Sequence, residues 1–150
     1  MIFLDLDPAL TPLPAADLLR RAAQATLDLH AAFDADLTLV LTGDEAIRDL
    51  NRRYRQIDAP TDVLAFPAGD ADPETGRLYL GDVILSLARA ADQAAAGDHP
   101  LEAELQLLVV HGVLHLLGHD HADSEDKDRM WAAQAEVLAH LGLPPTILHE

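Results

Sequence analysis

Two histidines, His111 and His115, stand four residues apart in the run HGVLHLLGHDH, among leucines and valines. On a helix their imidazoles leave one face, one turn apart, and can grip a single ion. Gly118 follows where a helix can end in a left-handed residue, and a chain reversing there brings His121 back over the same face. Three neutral imidazoles then converge on one point. Zinc suits such a set, one ion per chain, because three protein ligands leave a fourth position for water, the coordination of a catalytic rather than a structural site. The chain contains no cysteine, so a thiolate cage is excluded.

The histidine spacing matches the zinc-peptidase pattern HExxHxxGxxH, with one difference: Gly112 stands where those enzymes carry the glutamate base. Glycine neither takes nor gives a proton, which argues against peptide hydrolysis by that route. The missing base does not forbid other hydrolyses. A zinc ion on three histidines draws the pKa of its water to about 7, so attack on a phosphodiester is open near neutrality, as is metal-assisted attack by a ribose 2′ hydroxyl. Asp120 is a candidate partner for orienting a ligand imidazole, and Asp82, a carboxylate inside an apolar strand, must be hydrogen-bonded or face a cleft.

A second constellation is basic. The formal net charge is −16, which argues against a polyanionic partner, yet four of the ten basic residues, Arg48, Arg52, Arg53 and Arg55, fall within one short segment. At helical spacing Arg48, Arg52 and Arg55 share a flank, while Arg53 points elsewhere. A solvated helix face is the ordinary reading of such a flank. The functional reading makes Arg55 a phosphate clamp and Arg48 and Arg52 RNA-binding groups.

These residues need elements to carry them. Alternation predicts strands over Ile2–Leu6, Leu37–Thr42, Val63–Phe66 and Leu78–Leu85. Pro60 and Pro67 flank the third, which suggests an edge position, and residues 68–77 read as a loop. Helical periodicity covers Pro14 to about Ala32, with Leu18, Ala22, Ala25 and Leu29 as the inward stripe. A second helix, capped by Asp44, runs to about Arg55 with Ile47, Leu50 and Tyr54 inward. Ser86 caps a third that Gly97 closes, the metal helix starts at Pro100, and a last helix runs from Asp123 or Ser124 to Leu141. The expected fold is therefore α+β. One mixed sheet of about four strands, with one antiparallel edge strand, packs against helices beside a zincin-like metal helix.

A length of 150 residues with no internal repeat or linker predicts one domain over 1–150, and 49% hydrophobic residues supply its core. MIFLDLDPAL carries acids and a proline in place of a basic flank and apolar run, and no stretch is long and apolar enough for a membrane span. With no cysteine to oxidise, a cytoplasmic protein without a membrane partner is expected.

The segments HGVLHLLGHDH, LNRRYRQIDAPTDVLAFP and LGDVILS, in their own order along most of the chain, resemble the YbeY family of bacterial metal-dependent endoribonucleases. The resemblance implies His111, His115 and His121 as zinc ligands and Arg55 as the active-site arginine. It implies single-stranded RNA as substrate, in maturation of the 3′ end of small-subunit ribosomal RNA and in ribosome quality control, with the ribosome or its proteins as partners. Two positions depart from the family pattern: His119 replaces a frequent tyrosine, and Gln56 stands where a glycine often follows the arginine. The rival readings are a zinc metallopeptidase-like hydrolase and a non-enzymatic ribosome-associated metal-binding module, in which a further ligand such as His119 would fill the fourth position.

Overall fold

A computed structural model of the chain describes residues 1–10, 16–120 and 122–144. Nine elements follow in the order β1 (Ile2–Leu6), α1 (Ala16–Leu29), β2 (Asp36–Thr42), α2 (Asp44–Arg55), β3 (Val63–Ala71), β4 (Leu78–Ser86), α3 (Leu87–Gly97), α4 (Leu101–Leu116) and α5 (Ser124–His140). The strands form one sheet in the order β1-β2-β4-β3, in which β1, β2 and β4 are parallel and β3 runs antiparallel to β4 at the edge. The α+β class, the mixed four-stranded sheet and the antiparallel edge strand are those expected.

Parallel strands need both faces covered, and here the covers are unequal. On one face α1, α4 and α5 enclose the main core, which includes Leu19, Leu27, Leu37, Leu39, Leu85, Leu114 and Met130. On the other, α2 presses Ile47 onto Leu64 and Ile84, flanked by Val40, Leu50 and Phe66. The helix that carries the histidines is thus the most enclosed: α4 is buried from Ala103 to Val110 and along most of its last turns. No helix among the described residues is long and apolar enough to cross a membrane.

Several local expectations are corrected. The buried face of α1 is Leu19, Ala22, Ala23, Ala25, Thr26 and Leu27: Ala22 and Ala25 are buried as expected, whereas Leu18 is only half-buried and Leu29 is exposed. Packed against α4, α5 and β1, the helix presents a face rotated by one residue from the expected one. Gly43, not Asp44, is the N-cap of α2. The Asp44 carboxylate is engaged elsewhere: Ser86 Oγ donates to it at 2.7 Å and Arg89 Nε lies 3.5 Å away. Ser86 caps α3 as expected, accepting from the Arg89 amide, but the left-handed residue that closes the helix is Asp98 rather than Gly97. Asp123 caps α5.

Strand β3 does not stop at Pro67. It continues to Ala71 through a register shift between Pro67 and Asp70, turning part of the expected loop into a hairpin with β4. An edge strand tolerates a residue without an amide hydrogen, and a bulge absorbs the misfit.

Candidate functional site

The last turns of α4 bring His111 and His115 to the floor of a cleft of about 560 Å³. One wall is the edge strand, through Val63, Ala65 and Pro67. Asn51, Arg55, Ile57 and Thr61, from the end of α2 and the following loop, line it beside that strand, as do Gly118, His119 and Asp120 beyond the helix. Gly118 takes φ 99°, a conformation that glycine adopts without strain, and so ends the helix just beyond His115.

The two imidazoles converge. Their Nε2 atoms lie 3.2 Å apart and their ring centroids 4.8 Å, with planes at 74°. Two nitrogens each about 2.0–2.1 Å from one tetrahedral zinc are about 3.3 Å from one another, so this pair fits the ion. On the far side of His111, Nδ1 lies 2.9 Å from Oε1 of the buried Gln134 on α5, and the Trp131 ring meets the imidazole edge-on at 5.9 Å. Among the described residues no group of three metal-binding side chains gathers. His121, the expected third ligand, lies outside the described residues.

Gly112 sits between the two histidines and faces the sheet. A Cβ there would come 2.5 Å from Val83 Cγ1, 3.2 Å from Val83 Cγ2 and 3.3 Å from Val63 Cγ2. Close approach of α4 to β3 and β4, which sets the histidines beside the edge strand, needs this residue to lack a side chain.

Arg55, at the end of α2, reaches the edge strand. Its Nη2 donates to the Ala65 carbonyl at 3.0 Å, and its guanidinium lies 5.8 Å from the centre of the Phe66 ring. It makes no ion pair among the described residues, unlike its helical neighbours. Arg48 Nε meets Asp58 at 2.9 Å, Arg52 meets Asp49 at 2.6 Å and Arg53 approaches Asp49 at 3.6 Å. Arg48 and Arg52 line a separate depression with Glu45, Asp49 and Asp58, so the structure does not bring them to the histidine cleft. The Asp58 carboxyl is held below its ordinary pKa by the Arg48 hydrogen bond and charge.

Asp120 lies on the rim of the cleft, whereas Asp82 is absent from its lining. Asp82 sits on the sheet face that α2 covers and accepts from the Tyr79 hydroxyl, which in turn takes a bond from Thr38 Oγ1 at 2.6 Å. Burial, and then the hydrogen bond to Asp82, raise the Tyr79 pKa. The odd strand carboxylate is therefore satisfied within the sheet. His119 reaches the rim with its ring edge-on to His30 at 5.4 Å, and burial, then the charges of His30 and Arg129, lower its pKa.

Two residues of the site escaped sequence reasoning. Asn51 is buried on α2 with Ile47, whereas Leu50 is only half-buried and Tyr54, expected inward, is exposed; Asn51 Nδ2 donates to the Ala59 carbonyl at 2.9 Å and fixes the loop beyond Arg55. Gln134 stands one turn from Met130 and one turn from Leu138 on the inward face of α5, and a polar residue in that stripe was the available signal.

Residues 12–142 match the sequence profile of a family described as Endoribonuclease YbeY. The chain is 46% identical over 120 residues to a protein named Endoribonuclease YbeY from Heliobacterium modesticaldum, covering 73% of this chain and 72% of that one. It is 45% identical over 130 residues to one of the same name from Pelotomaculum thermopropionicum, covering 84% and 86%. Its fold is similar to the solution structure of TM1509 from Thermotoga maritima, with a TM-score of 0.61 at 24% identity over 100% of this chain and 97% of that one.

Proposed function

The chain belongs to the YbeY endoribonuclease family, and from that premise we propose that it is a zinc-dependent hydrolase of RNA phosphodiester bonds, one domain over 1–150. In this reading His111, His115 and His121 hold the ion and Arg55 holds the phosphate. The observation that carries it is the pair of imidazole nitrogens 3.2 Å apart in a cleft that Arg55 also lines. When bound, zinc supplies Lewis acidity and water of lowered pKa. The rest falls to the chain. His111 and His115 present lone pairs from one helical face, while Arg55, anchored by one N–H to the Ala65 carbonyl, keeps further donors for a phosphate oxygen.

The wider role follows the family. The substrate is single-stranded RNA in maturation of the 3′ end of small-subunit ribosomal RNA and in ribosome quality control. The setting is the cytoplasm, and the partners are the ribosome or its proteins.

A peptidase would need a base beside His111 and a strand edge able to pair with an extended peptide. Neither is at hand: the packing at Gly112 leaves no room for a glutamate, and on β3 the Ala65 carbonyl already accepts from Arg55 while Pro67 has no amide hydrogen.

The test uses the whole chain. His115→Ala should lose zinc, measured by elemental analysis after dialysis, together with cleavage of a single-stranded ribosomal RNA fragment. Arg55→Ala should keep zinc and lose cleavage, Arg55→Lys less severely. Full zinc content in His115→Ala would remove that residue from the ligand set, and parent-rate cleavage by zinc-loaded Arg55→Ala would remove the clamp.

A further inference from the structure

Gln134 is 1% exposed on a helix face otherwise made of Met130, Val137 and Leu138. A buried amide without a partner costs free energy, so its place in that stripe asks for a reason. The reason at hand is the 2.9 Å approach of its Oε1 to His111 Nδ1. An amide oxygen only accepts, and a neutral imidazole has one N–H and one bare nitrogen. The contact therefore puts the His111 proton on Nδ1 and leaves Nε2 bare, facing His115 Nε2 at 3.2 Å across the cleft floor.

We propose that Gln134 is a positioning residue for the metal site: it selects the Nδ1–H tautomer of His111 and holds the ring so that Nε2 is the ligating atom. This rests on the reading of His111 as a ligand. Trp131, one turn earlier on α5 and edge-on to the same ring at 5.9 Å, fixes the ring plane from the other contact. Helix α5 thus does more than cover the core. It supplies the contact that decides which histidine nitrogen points inward.

A neutral amide suits the task in one further respect. A carboxylate in its place would accept the same bond but would also favour the imidazolium, which has no lone pair to give. Gln134 can hold one proton on the ring and gives no charge to attract a second. An amide turned over would donate to Nδ1 and reverse the tautomer, so the ring tautomer reads the polarity of the contact directly.

The experiment is long-range nitrogen–proton correlation NMR of the histidine rings in metal-free full chain, above pH about 8 where imidazoles are neutral. Zinc affinity by chelator competition is measured alongside. The parent and Gln134→Glu should both show His111 as Nδ1–H, because amide and carboxylate oxygens accept the same bond. Gln134→Met should show a mixture of tautomers and lose roughly 10- to 100-fold in zinc affinity. A parent spectrum with the proton on Nε2, a switch to Nε2–H in Gln134→Glu, or unchanged tautomer and affinity in Gln134→Met would each overturn the proposal. If Gln134→Met does not fold, the first two outcomes still decide. The tautomer is read without metal, so it separates failure of this proposal from failure of His111 as a ligand: a correct tautomer with no zinc binding in the parent would sink the ligand reading alone.

Discussion

Gly112 shows how one missing side chain selects between chemistries. Replacing a helix-interior glycine by alanine ordinarily gains about 1 kcal/mol of helix propensity. Here the added carbon would lie 2.5 Å from Val83 Cγ1, and Val83 is wholly buried on a central strand, so it has little room to yield. Overpacking of this kind costs about 1–3 kcal/mol, which exceeds the propensity gain across most of its range. Gly112→Ala should therefore destabilise the metal-free protein by about 1 kcal/mol and displace α4 from the sheet, read by urea unfolding and by a fall in zinc affinity. Gly112→Glu should be worse and should confer no peptidase activity. A Gly112→Ala variant as stable as the parent would show that the sheet gives way more readily than the packing suggests. The histidines that flank this glycine were legible from spacing alone. The partner of His111 was not, because Gln134 lies 23 residues away on another helix and only the packing of α5 on α4 joins them.

At the scale of elements, the ends of β2 and β4 are pinned by charge. Arg77 Nη2 meets the Asp36 carboxylate at 2.6 Å and Nε meets it at 3.1 Å, with the Met1 amino nitrogen 2.5 Å away. The Arg77 hydrogen bonds chiefly hold the Asp36 pKa down to about 2, against the opposing effect of burial. An unfolded aspartate titrates near 3.9. The folded value is the lower one, so the unfolded chain takes up the proton first. The stabilisation is complete above pH about 4 and is lost as pH falls towards 2. Asp36→Asn should then show a shallower loss of melting temperature between those limits than the parent, and parallel curves would mean that the pair contributes nothing. Most elements were readable in advance, since alternation and helical periodicity are local signals. The failures were at places where tertiary contacts override local preference. The run of β3 past Pro67 depends on a partner strand, and the buried face of α1 depends on three neighbours. Gln56 is the clearest case: it adopts φ 58°, the left-handed cap of α2, at the position where a glycine had been expected by resemblance. The next amide, that of Ile57, donates to the Asn51 carbonyl at 3.2 Å and turns the chain towards β3.

Across the whole molecule, a net charge of −16 is hard to reconcile with a polyanionic substrate unless little of the binding comes from counterion release. The pairing of the arginines resolves this. Arg48 is committed to Asp58 and Arg52 to Asp49, leaving Arg55 as the helix's cation without an acidic partner among the described residues. Helical spacing put Arg48 and Arg52 on one flank with Arg55 and held no sign that Asp58, ten residues on and across a loop, would pair with the first of them. One phosphate contact on a single strand corresponds to a salt slope of about −0.7, and each further contact adds about as much. Binding of a 2′-O-methyl single strand, which resists cleavage, should thus weaken with salt at a slope near −0.7 in fluorescence anisotropy. Asp58→Asn releases Arg48 and should steepen the slope to about −1.4 while tightening binding at low salt. Zinc content should not change, because the depression that holds Arg48 shares no lining residue with the histidine cleft. A parent slope steeper than about −2 would mean that the arginines exchange their carboxylates for phosphates on binding. The acidic partners would then act as placeholders for RNA rather than as a brake on its attraction.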